Sequence, residues 1–191
     1  ARLNIIHKYY EPIWRDLVFG FNIEGGYTKA FGDTNETPFF QNFYAGGPRS
    51  LRGFESNTLG PRSTNPPCFE FNYSEGVCPN LLDIDGDDIP DIPIANPYAN
   101  SEYRNRVSIG GNIKIEGSMQ LIFKLPFIED QRSMRSAFFF DFGNVFSSNC
   151  KDYQFNCYDV SIDDMRYSYG VGITWLTGFG PMSFAIAKPF Q

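Results

Sequence analysis

The residues of this chain change character at every second position over long runs, and that alternation limits the fold more than any other feature. From Leu17 onward the odd positions Leu17, Phe19, Phe21, Ile23 and Tyr27 are apolar, while Val18, Gly20, Asn22, Glu24, Gly26 and Thr28 between them are mostly small or polar. The run after Asn112 sets Ile113, Ile115, Met119, Leu121 and Phe123 against Lys114, Glu116, Ser118, Gln120 and Lys124. Phe138, Phe140 and Phe142 then oppose Ala137, Phe139, Asp141 and Gly143, and Tyr167, Tyr169, Val171, Ile173 and Trp175 oppose Arg166, Ser168, Gly170, Gly172 and Thr174. Met182, Phe184 and Ile186 repeat the pattern against Ser183, Ala185 and Ala187. Successive side chains of a strand point to opposite faces, so each run reads as a strand with one greasy and one polar side. With a weaker run over residues 1–9 the chain is all-β, with six long strands.

The connections say which solvent each face meets. Three are short, YEPIWRD, LPFIEDQRSM and TGFGP, while those over about 32–108 and 147–164 are long. Short turns at one end and long loops at the other are the pattern of an outer-membrane barrel, whose strands carry apolar residues outside and polar ones inside. In hydrocarbon only helices and closed barrels satisfy every backbone amide. Tyr9, Tyr10, Trp14, Phe127, Trp175 and Phe179 cluster near the short turns, where an interfacial aromatic girdle is expected. A soluble β-sandwich also alternates, but the charges of Lys114, Glu116 and Lys124 on one face and the long 32–108 connection argue against it. Six strands are fewer than the roughly eight a membrane barrel needs, so the chain is expected to be part of one.

Composition removes other classes. With 16 Lys+Arg against 22 Asp+Glu the net charge is −6, and no basic stripe offers itself to nucleic acid. No apolar stretch approaches the length of a spanning helix, and ARLNIIHKYY lacks a signal-peptide pattern. The cysteines Cys68, Cys78, Cys150 and Cys157 fall into two local pairs without a CxxC, and His7 lies far from them, so zinc is not expected. Short spacings favour Cys68 with Cys78 and Cys150 with Cys157, which requires an oxidising compartment; free thiols are the alternative.

The segment PFFQNFYAGGPRSLRGFESNTLGP at 38–61 resembles the sixth extracellular loop of the BamA family, the outer-membrane insertases of the bacterial surface antigen superfamily. The matching pieces are Asn42-Phe43-Tyr44-Ala45-Gly46-Gly47, the tetrad Leu51-Arg52-Gly53-Phe54, and Asn57-Thr58-Leu59-Gly60-Pro61. Gly110-Gly111-Asn112, FFFDFGNVF and GFGPMSFAIAKPF follow in the family's order. The resemblance implies that residues 1–191 are the C-terminal part of one transmembrane barrel domain, its strands ten to fifteen of about sixteen. It also implies that the long loop folds toward the lumen.

Residue roles follow from the same resemblance. Arg52 would be held inside the barrel by wall acids, one at Asp141 and the other at a position that is Gln120 here, a departure that weakens the clamp or hands the role to Glu116. The alternation independently puts Asp141 on the inward face, where a guanidinium can pair with it through two parallel hydrogen bonds. The pair Cys68 and Cys78 matches a loop-six cysteine pair of the family, whereas Cys150 and Cys157 match none of its features. In DIDGDDIPD, the carboxylates Asp83, Asp85, Asp87 and Asp91 around Gly86 resemble one thrombospondin type 3 calcium repeat; a solvated acidic loop is the alternative reading. No other cofactor is expected.

The implied function is non-enzymatic: the central subunit of the β-barrel assembly machinery, folding and inserting nascent outer-membrane barrel proteins. The implied partners are outer-membrane lipid, the nascent barrels and the machinery's lipoproteins, reached through periplasmic domains. A sister transporter for autotransporter assembly or two-partner secretion shares the tetrad. The barrel half of a patatin-type esterase would need a GxSxG elbow, which this sequence lacks. A soluble calcium-binding adhesion module is the remaining alternative. The implied location is the bacterial outer membrane, with the long loops facing the exterior.

Overall fold

The computed structural model describes residues 1–32, 37–63, 108–125, 133–150 and 154–190. Six long strands are present: β1 (Arg2–Trp14), β2 (Leu17–Thr28), β4 (Ile113–Phe123), β5 (Met134–Phe146), β7 (Arg166–Thr177) and β8 (Gly180–Phe190). They form one antiparallel sheet in the order β1-β2-β4-β5-β7-β8, each long strand beside the next. Two short segments, β3 (Arg62–Ser63) and β6 (Gln154–Phe155), lie in the long connections and pair with each other. A single 3₁₀ turn spans Phe39–Gln41.

The register fixes the faces. Ser118 stands opposite Asp141, Gln120 opposite Phe139, and Glu24 opposite Glu116, so the polar series of β2, β4 and β5 shares one side. The other side is apolar and open: Leu3, Trp14, Phe138, Val171, Phe184 and Ile186 are all exposed, Ile186 at 78%. Asp141, Ser168, Lys114 and Glu116 are buried instead. This arrangement inverts that of a water-soluble protein, which rarely leaves a contiguous apolar face of this extent uncovered. Aromatic rings strengthen the outer face, with Phe123 stacked on Phe138 at 5.1 Å and Tyr167 on Phe190 at 5.6 Å.

Trp14, Trp175 and Phe179 sit exposed toward the short-turn end, as an interfacial belt requires, while Tyr9, also exposed, stands opposite Phe21 midway along the wall. Tyr10 does not belong with them. It pairs with Gly20 on the inward series, and a Cβ on Gly20 would lie 3.0 Å from the Tyr10 ring, so this ring packs against the inner wall. Phe127 lies outside the described residues.

The compact apolar core is not between sheets. It joins Phe43, Ala45, Leu51 and Leu59 of the long loop to Val145 of β5, with Phe54 packed against them. The loop therefore fills the space behind the wall and supplies the burial that an isolated curved sheet lacks.

Candidate functional site

The long loop enters along the top of the sheet and is stitched there by backbone. Phe43 and Gly111 exchange hydrogen bonds of 2.8 and 3.1 Å, and the Leu59 amide donates to the Ala45 carbonyl at 3.3 Å. The Phe43 ring occupies the space over Gly26, where a Cβ would stand 2.5 Å from it, and the Arg2 guanidinium lies 4.3 Å above its centroid. Tyr44 donates its hydroxyl to the Ile109 carbonyl at 3.3 Å, and burial raises the pKa of that phenol. Between these stitches the chain turns tightly: Gly47 donates to Leu51, and Ser50 to Gly47, each at 3.1 Å.

That turn delivers Arg52 to the wall. Its Nε donates to Asp141 Oδ2 at 2.7 Å, its Nη2 to Oδ1 at 2.7 Å, and its backbone N–H to Oδ2 at 3.2 Å. Nη2 also donates to Ser118 Oγ at 3.0 Å, and the Ser118 hydroxyl donates in turn to Asp141 Oδ1 at 2.6 Å. The guanidinium carbon lies 3.5 Å over the Phe139 ring centroid, a cation–π contact on the neighbouring inward residues of the same strands. Asp141 is fully buried and Arg52 is 17% exposed. An ion pair so desolvated costs about 3–5 kcal/mol when one partner is removed, because the other charge is left stranded. The next residue, Gly53, has φ +92°, and a Cβ there would lie 3.1 Å from Ala187 of β8, so the tetrad's glycine allows both the turn and the close approach.

The other wall residues take different parts. Among the described residues no hydrogen bond joins Gln120 to the guanidinium; its Nε2 donates to Ser118 Oγ at 3.2 Å, so it meets the anchor through that serine. Glu116 does not substitute for it either. Its carboxylate accepts the Ser50 hydroxyl and pairs with Lys114 at 2.9 Å, and Lys114 also reaches Glu24 at 3.0 Å. Ser118, Phe139 and Ser50 are the contacts that the sequence reading did not single out. Ser118 and Phe139 belong to inward series visible in the alternation, but their place beside Asp141 and Gln120 depends on register. Ser50 lies in a loop and carries no periodic signal.

Beyond the anchor the loop leaves through β3. Arg62 Nε donates to the Thr58 carbonyl at 3.1 Å; burial, reinforced by the nearby Arg166 charge, lowers its pKa. β3 pairs with β6, which lies between Cys150 and Cys157, and these two cysteines form a disulfide. Cys68, Cys78 and the acidic residues Asp83, Asp85, Asp87 and Asp91 lie outside the described residues. Below the loop tip a chamber of about 1830 Å³ opens along the inner wall, bordered by Tyr10, Val18, Arg52, Phe54, Ile122 and Ala187.

Comparison with known proteins agrees with this geometry. Residues 1–191 match the model of the Omp85 superfamily domain. The chain is 29% identical over 199 aligned positions to the outer membrane protein assembly factor BamA of Neisseria meningitidis serogroup B, covering 96% of this chain and 20% of that protein. The crystal structure of BamA from Haemophilus ducreyi lacking POTRA domains 1-3 superposes with a TM-score of 0.70 at 25% identity, over 100% of this chain and 31% of that one. The chain thus spans 20% of the length of the curated relative. It belongs to the Omp85 superfamily and forms part of a β-barrel of the bacterial outer membrane.

Proposed function

We propose that this chain is the C-terminal part of the barrel of an outer-membrane assembly factor, the central subunit of the machinery that folds and inserts nascent β-barrel proteins. The observation that carries the reading is the docked tetrad: Arg52 held by Asp141 and Ser118 behind a wall whose opposite face is apolar. The work is mechanical and energetic, and breaks no covalent bond. A wall with a docked brace keeps its curvature, so it can disturb the surrounding bilayer and offer strand edges to an incoming chain. The partners in this reading are lipid, nascent barrels and the accessory lipoproteins of the machinery.

The likeness to assembly factors at 29% identity over nearly the whole chain supports this over a secretion role for the same scaffold. The test is depletion of the native protein with complementation by Arg52→Ala, read as the rate at which a reporter barrel acquires heat-modifiable migration. The reading expects that rate to fall at least tenfold while the variant itself folds. Normal insertion with failed export of a passenger would assign the chain to the secretion branch.

A further inference from the structure

Beside the arginine anchor the wall carries a second charged cluster. Glu24 on β2 and Glu116 on β4 are directly opposed in register, and like charges so placed repel. Lys114 Nζ lies 3.0 Å from Glu24 and 2.9 Å from Glu116, so one ammonium serves two carboxyl groups. Two further donors reach the pair. Asn4 Nδ2 on β1 reaches Glu24 Oε1 at 3.2 Å, and the Ser50 hydroxyl of the long loop donates to Glu116 Oε2. The Gly46 amide donates to Ser50 Oγ at 3.1 Å, occupying a lone pair there and directing the hydroxyl proton to the carboxylate.

Ser50 lies two residues before Arg52 and uses a different set of wall groups. The Arg52 anchor and the apolar contacts of Leu51 and Phe54 hold one side of the loop tip; a polar contact at another place on the wall fixes it from a second direction. We propose that Glu24, Lys114 and Glu116 form a second docking point that captures the loop through Ser50 and sets the orientation of the tip around the Arg52 anchor. These are positioning residues, and their importance for insertion rests on the reading that a docked loop braces the wall.

The test uses the full-length protein in lipid vesicles and measures trypsin cleavage after Arg49, an exposed residue next to Ser50 whose cutting reports undocking when reclosing is fast. Ser50→Ala is expected to raise cleavage at least about tenfold, since tenfold is equivalent to roughly 1.4 kcal/mol, the lower edge for a hydrogen bond to a charged group. Lys114→Met is expected to raise it further, since it leaves two carboxylates facing each other. Adding Glu116→Gln to Lys114→Met should bring cleavage back down, because the repulsion is gone and the amide oxygen still accepts from Ser50. A packing role for Lys114 would not give that rescue. Heat-modifiable migration confirms that each variant folds, and Ser50→Ala lies outside the wall altogether. Unchanged cleavage in Ser50→Ala, or no rescue in the double variant, overturns the proposal. Normal insertion of a test barrel by a variant whose loop has become cleavable contradicts the proposed function and leaves the docking point standing.

Discussion

Ser118 stands directly opposite Asp141 across β4 and β5 and donates to its Oδ1 at 2.6 Å, while accepting from Arg52 Nη2 at 3.0 Å. One small hydroxyl therefore serves both members of the ion pair. It relays donor strength from the guanidinium to the carboxylate, and it receives the Gln120 amide as well.

Ser118→Ala removes that relay and leaves the pair two hydrogen bonds poorer beside a fully buried carboxylate. The expected loss is about 1–3 kcal/mol of loop docking. Protease protection of residues 47–54 in the full-length protein measures it, and Ser118→Thr should retain most of the protection.

Gly53→Ala should release the loop although it removes none of the groups that join Arg52 to Asp141. The position has φ +92°, where a side chain is strained, and its Cβ would crowd Ala187. A cost of about 1–2 kcal/mol for the backbone alone is expected. Spin labels on the loop and on β8 should show a broadened distance distribution relative to the parent protein.

Reduction of Cys150–Cys157 should loosen the exit of the loop rather than its anchor. The disulfide closes the turn that contains β6, and β6 is the partner of β3 directly after the Leu59-Gly60-Pro61 segment. Hydrogen exchange at Arg62 and Ser63 should speed up in Cys150→Ser/Cys157→Ser, with Arg52 protection retained.

The two sides of β8 should respond unequally to the same charge. Ile186→Arg places a cation on the exposed apolar face, which costs about 2–4 kcal/mol near the bilayer midplane. Ser183→Arg points into the chamber beside Thr174, where water can solvate it, and should change stability little. Urea unfolding in vesicles separates them.

The sheet and the inward place of Asp141 are legible in the sequence because a period of two survives any error in strand ends. Tyr10 shows the limit of that legibility. Adjacent Tyr9 and Tyr10 both look like girdle residues, yet strand parity sends one to lipid and the other over Gly20. Partner identity is harder still. That Ser118 meets Asp141, and Glu24 meets Glu116, follows from register, and a slip of one residue would send every side chain to the other face. Ser50 cannot be found by periodicity at all, since its position comes from a loop turn closed by Gly46 and Gly47.

The central claim, that insertion depends on the Arg52–Asp141 pair holding the loop inside the barrel, is tested most directly by exchanging the two charges in the full-length protein. Asp141→Arg alone should abolish insertion of a reporter barrel, because it sets two guanidiniums against each other in a buried place. Combining it with Arg52→Asp should restore insertion in part, along with protease protection of the loop. Full activity of either single variant would contradict the account.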